Sequence, residues 1–75
     1  MTKAYWEIIA DEIIDLGWSC DYCPVETPGI GVLTSAYADK GDRYLVAQAD
    51  TKLNAFMELK AMVVEREKEI DSSID

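Results

Sequence analysis

The apolar period of the chain changes within one stretch, Arg43–Val64, which reads RYLVAQADTKLNAFMELKAMVV. Tyr44 to Ala49 alternates as a strand. From Thr51 onward the apolar residues fall at helical spacing, with Leu53, Phe56, Leu59 and Val63 on one side. Asp50 stands at the switch, where a helix needs an oxygen to accept from its first free N–H groups, and it is the expected N-cap. A strand that passes into a helix through one capping residue is a tight β–α corner, and the preceding elements must pack onto it.

Upstream, Trp6, Ile9, Ile13 and Leu16 recur at steps of three and four, which predicts a first helix from about residue 3 to residue 16. Thr2 is its expected cap, and Tyr5, Ile8 and Ile14 widen its apolar stripe. Glu7, Asp11, Glu12 and Asp15 form a solvated face. Gly17 suits the left-handed position that ends a helix. A first strand is expected over 18–26, weakened by Pro24, which cannot donate to a ladder. Thr27-Pro28-Gly29 reads as a type II turn. A second strand follows over 30–38, then a four-residue hairpin loop, Asp39-Lys40-Gly41-Asp42, then a third strand over 43–49. With that loop, Val32, Thr34, Ala36, Leu45, Ala47 and Ala49 share one face and are assigned to the core. Leu33, Ser35, Tyr37, Tyr44, Val46 and Gln48 share the other, where Tyr37 and Tyr44 come close enough to touch. The second helix should stay packed to about Val64, and Glu65–Lys68 and Arg66–Glu69 pairs extend it by a turn or two.

The predicted fold is α+β, in the order α-β-β-β-α: a three-stranded antiparallel sheet with two helices packed on one face. Residues 1–70 make a single domain and residues 71–75 a frayed tail. With 75 residues the domain is small and marginally stable unless well packed or assembled. Its 49% hydrophobic content suffices for a core.

Seven basic residues against 15 acidic give a net charge of −8. Such a charge repels phosphate backbones and anionic lipid, so neither nucleic acid nor a membrane is an expected partner. No apolar run approaches the roughly 20 residues that span a bilayer. Charges at Lys3, Glu7, Asp11 and Glu12 interrupt any signal-peptide pattern, which points to the cytoplasm. There Cys20 and Cys23 are expected as reduced thiols.

Cys20-Asp21-Tyr22-Cys23 is the one constellation with chemical precedent. Two thiolates three apart form half of a tetrahedral zinc site. The chain holds no other cysteine and no histidine, so a four-cysteine set needs two subunits. A redox pair needs its first cysteine at a helix N-terminus, which lowers the thiol pKa. This pair falls in a predicted strand beside Asp21 and Glu26. In extended chain its Cα atoms stand about 10 Å apart, beyond disulfide reach. Structural thiols are therefore the favoured reading, with zinc and redox roles as alternatives. Without histidine the usual nucleophile–base triads are excluded. Gly29-Ile30-Gly31 lacks a third glycine and does not open a helix, so it is no dinucleotide loop. No catalytic residue, cofactor or metal is assigned.

The order of elements resembles that of the double-stranded-RNA-binding domain. In that family lysines at the start of the second helix meet phosphates. The corresponding segment here is Asp50-Thr51-Lys52-Leu53-Asn54, with one lysine, so the activity does not carry over. The chain is also similar to a group of short bacterial proteins of unknown function. The similarity covers roughly residues 5 to 64. It lies in a helix ending in Gly17-Trp18, a turn with Asp39 and Gly41 before Arg43-Tyr44, and the Ala-Asp-x-Lys-Leu-x-Ala-Phe-x-Glu-Leu segment from Ala49 to Leu59. That resemblance implies a shared fold and no chemistry. The function expected is a small acidic, non-enzymatic module that contacts protein, its oligomeric state left open. Nucleic-acid binding through the resembled fold and zinc binding through the cysteine pair are the alternatives.

Overall fold

The computed structural model describes residues 2–74, and side chains through residue 68. The elements run α1 (Tyr5–Asp15), β1 (Ser19–Thr27), β2 (Gly31–Lys40), β3 (Arg43–Ala49) and α2 (Lys52–Ile74). The sheet is antiparallel with order β1-β2-β3. This is the α-β-β-β-α arrangement that the apolar spacing predicts.

Local chemistry accounts for the joints. At the end of α1 the Gly17 N–H bonds the Ile14 carbonyl at 2.9 Å and the Trp18 N–H reaches that of Ile13 at 3.4 Å. With Gly17 at φ +94° this is a Schellman ending, and its flanking apolar pair, Ile13 and Trp18, is buried. Between β1 and β2 the Ile30 N–H bonds the Thr27 carbonyl at 3.1 Å, and Gly29 sits at φ +82°, as a Pro-Gly type II turn requires.

Both helix caps differ from expectation. The N-cap of α1 is Ala4, not Thr2. Its N–H is met by the Glu7 carboxylate at 3.3 Å, one half of a capping box. In α2 the cap is Thr51, whose Oγ1 accepts from the Asn54 N–H at 3.1 Å. Asp50 instead accepts from the Asn54 side-chain amide. β3 ends at Ala49, and the chain needs one more residue to turn before its N–H groups line up along the helix. The helix itself runs to Ile74, past the expected end. The tail expected to fray, 71–75, lies outside the residues whose side chains are described, and Asp75 outside the description altogether.

The β2–β3 hairpin also departs from the predicted loop. Lys40 pairs with Arg43, so the connection is Gly41-Asp42 alone, with Gly41 at φ +64°. Positive φ at the first position only is the pattern of a type II′ turn, which matches strand twist. β3 is thereby displaced by two residues along β2 from the expected register. Because side chains alternate with period two, this even displacement leaves every residue on its expected face.

The inner face carries Ala36, Ala38, Leu45 and Ala47, all buried. These small side chains let the helices approach the sheet closely. Ile9, Ala10 and Ile13 of α1, Trp18, and Ala55, Phe56, Leu59 and Val63 of α2 complete the core. Val32, expected in that core, is 59% exposed. The last β2–β3 pair is Thr34 with Ala49, so Val32 projects beyond the end of β3 with only Glu26 beside it. Tyr5, Ile8, Ile14 and Leu16 are likewise exposed rather than part of the packed stripe. The sheet and α2 cover only the arc of α1 that holds Trp6, Ile9, Ala10 and Ile13.

Candidate functional site

Cys20 and Cys23 are three apart in β1, so the pleat sends them to opposite faces. Cys20 stands opposite Ala38 on the core side, half-buried, its sulfur 3.7 Å from the Ala10 carbonyl oxygen. Cys23 stands opposite Ser35 on the outer face and is exposed. The fold thus separates the two thiols that zinc or disulfide chemistry would bring together. Among the described residues no group of three or more cysteine and carboxylate side chains converges. Burial first, then the charges of Asp21 and Asp11, push the Cys20 thiol above its ordinary pKa. We therefore expect a thiol reagent to modify Cys23 quickly and Cys20 slowly. Two fast, equivalent thiols, or rapid loss of both on mild oxidation, would contradict this placement.

Several cations that could meet an anionic ligand are engaged within the fold. Lys52 lies 4.5 Å from the centre of the Trp6 ring and 4.3 Å from that of Tyr22, and donates to the Tyr22 hydroxyl at 3.2 Å. Beneath it, Trp6, Tyr22 and Phe56 form a cluster with centroids 5.3 to 5.9 Å apart. Lys3 pairs with Asp11 and Lys60 with Glu12. Lys40 donates to the Leu16 carbonyl at 3.0 Å and to Glu67 at 3.1 Å. Glu67 also accepts from the Trp18 indole N–H at 2.9 Å. Its carboxyl is held below its ordinary pKa by the indole donor first and by Lys40 next.

On the outer sheet face Tyr37 and Tyr44 stack at 6.3 Å, as expected, although diagonally, since Tyr37 pairs with Val46 and Tyr44 with Asp39. The Asp21 carboxylate opposite Tyr37 raises its phenol pKa. An acidic neighbour makes this pair a poor platform for nucleic acid.

An uncovered apolar surface lies between the helices. Tyr5, Ile8 and Ile9 of α1 face Met57, Ala61 and Val64 of α2 across a groove of about 580 Å³. Tyr5 is 66% exposed and Met57 51%. Glu12 and Lys60 bridge it at 2.5 Å. Its residues repeat at i, i+3 and i+4 on both helices, beside the stripes that enter the core. That second stripe is the signal in the sequence: each helix carries a wider apolar arc than one sheet contact can cover.

No helix among the described residues is long and apolar enough to cross a membrane. In comparisons with known proteins, no family model matches this chain, and no curated protein or solved structure matches it.

Proposed function

We propose that this chain is a small, acidic, non-enzymatic module of bacterial type that acts through protein contact in the cytoplasm, with the α1–α2 groove as its contact surface. The observation that carries this is the groove itself. Tyr5, Ile8 and Met57 are left in water by a domain that has little apolar surface to spare. Two free cysteines suit a reducing compartment. The test is affinity capture from the native source, with wild-type chain and an Ile8→Gln/Met57→Gln variant as paired baits. Both positions are about half exposed, so the variant should fold. A partner held by the wild type and lost by the variant is the expected result. Identical capture by both baits would remove the groove from the account.

Nucleic-acid binding, the function of the fold resembled, is disfavoured on the same surfaces. Lys52, the one lysine at the start of α2, is turned onto Trp6 and Tyr22. Each phosphate contact needs a cation to release counterions. Mixed with duplex RNA or DNA near physiological salt, the protein is expected to give no shift. Sub-micromolar binding with a steep salt slope would reverse this conclusion.

A further inference from the structure

We propose that the outer face of the sheet binds an extended, arginine-bearing segment of a partner protein, through Asp21, Asp39, Tyr37 and Tyr44 with the Ser35 hydroxyl beside them. This surface is turned away from both helices. It is separate from the α1–α2 groove and does not depend on it.

The strand register sets the layout. Asp21 stands opposite Tyr37, and Asp39 stands opposite Tyr44. Asp39 follows Tyr37 by two residues on β2, so the aspartates form one diagonal of the face and the tyrosines the next. The tyrosine rings stack at 6.3 Å, and Tyr44 is 63% exposed. Among the described residues neither aspartate is paired with a cation. Lys40 and Arg43, the cations of β2 and β3, belong by alternation to the inner face. One Asp21 oxygen accepts from the Tyr22 N–H at 2.8 Å, which leaves the other for a ligand. The Tyr37 phenol, raised above its ordinary pKa by the Asp21 charge first, records the negative potential there.

Such a face selects a cation, and its parts select the kind. A hard metal ion needs about six oxygen ligands, and among the described residues no third carboxylate or thiol converges here. A guanidinium is planar. It can lie on a tyrosine ring while its N–H fork meets a carboxylate. A lysine ammonium is a more strongly hydrated point charge and gains less from the ring. The net charge of −8 draws a basic partner toward the chain.

Ser35 is an independent sign of a ligand. It is only 7% exposed, yet it lies on the outer face next to Tyr37, between Cys23 and Gln48. Among the described residues nothing bonds its hydroxyl. Its oxygen is not sealed either, since no fully enclosed side-chain oxygen lacks a partner. A buried hydroxyl left without a partner in the fold is a donor and acceptor held for something outside it. Beyond it, Val25 and Leu33 are half-buried and apolar. From Leu33 to Asp39 the face is about 20 Å long, and three strands make it about 10 Å wide. That strip has the size of an extended peptide of about six residues, so the ligand is a segment of chain rather than a lone cation.

Fluorescence anisotropy with labelled hexa-arginine and hexalysine peptides tests this. At 150 mM salt the Debye length of about 8 Å screens general attraction to an acidic protein. The arginine peptide is expected to bind several-fold more tightly than the lysine peptide. Asp21→Asn/Asp39→Asn should weaken it by about ten-fold, and Tyr44→Ala by about three-fold. Asparagine at 21 keeps an oxygen for the Tyr22 N–H, so the fold should survive. Glu58→Gln/Glu65→Gln removes the same charge from exposed positions on α2 and should change affinity by no more than about two-fold. Ser35→Ala removes no bond of the fold, so its thermal transition should stay in place while binding weakens by about three-fold. Ile8→Gln/Met57→Gln, in the groove, should bind like the parent. Absence of binding overturns the proposal, as does equal affinity for the lysine peptide. So does an equal loss in the α2 control, which would reduce the effect to net charge, or a loss confined to the groove variant. A Ser35→Ala that melts lower and binds like the parent would make the hydroxyl structural and remove it from the site.

Discussion

Phe56→Ala is expected to leave the domain largely unfolded. Phe56 is 1% exposed and lies on the inner face of α2, one turn past the β–α corner. Its ring stacks on Trp6 at 5.5 Å and meets Tyr22 edge-on at 5.9 Å. Truncation would remove the ring that joins α1, β1 and α2, and would take the support from under Lys52. Emptying a buried aromatic site costs about 3–5 kcal/mol, and a domain of this kind has a total stability of only about 5 kcal/mol or a little more. The measurement is thermal unfolding followed by circular dichroism. A cooperative transition at the temperature of the parent would mean that the ring carries no packing energy.

What could be read in advance, and what could not, divides along sequence distance. The β–α corner, the glycine ending of α1 and the Pro28-Gly29 turn are written in neighbouring residues; the last two stand where the sequence puts them, and the corner comes one residue later than expected, capped by Thr51 instead of Asp50. The alanine face of the sheet was legible too, because alternation with period two survives an error of two residues in register. The loop is two residues shorter than the sequence suggests, for a physical reason. Asp39 has turn chemistry, but Gly41 alone supplies the positive φ that a two-residue connection needs, so the strands zip two residues further. The groove was half legible. Tyr5 and Ile8 read as apolar helix positions, yet period alone does not tell an arc that meets the sheet from one that meets water. The role of Glu67 was not legible at all. Its partners, Trp18 and Lys40, are 49 and 27 residues away in sequence, and among the charges of the late helix nothing distinguishes it.

Trp18→Ala is the second substitution expected to unfold the chain, and it tests that long-range junction. Trp18 is 2% exposed, the largest of the fully buried side chains. It follows the Schellman ending of α1, fills the core where α1 passes into β1, and directs its indole N–H outward to Glu67. Alanine there should cost about 3–5 kcal/mol. Trp18→Phe should cost less, because it keeps one aromatic ring in the core while it removes the rest of the indole and its donor. Glu67→Gln isolates the charge: it retains an oxygen for the indole but loses the ion pair with Lys40, beside which Arg43 adds a further positive charge. Since the folded carboxyl titrates below its ordinary range, its contribution is complete above the unfolded value of about 4.3. That contribution is lost as pH falls through the lowered folded value. Denaturant midpoints at a series of pH values should therefore show the parent ahead of Glu67→Gln at neutral pH. The gap should close only below about pH 4. A gap that stays constant to the acid limit would mean that the carboxylate charge contributes nothing, and that the glutamine differs from the parent only in how it packs.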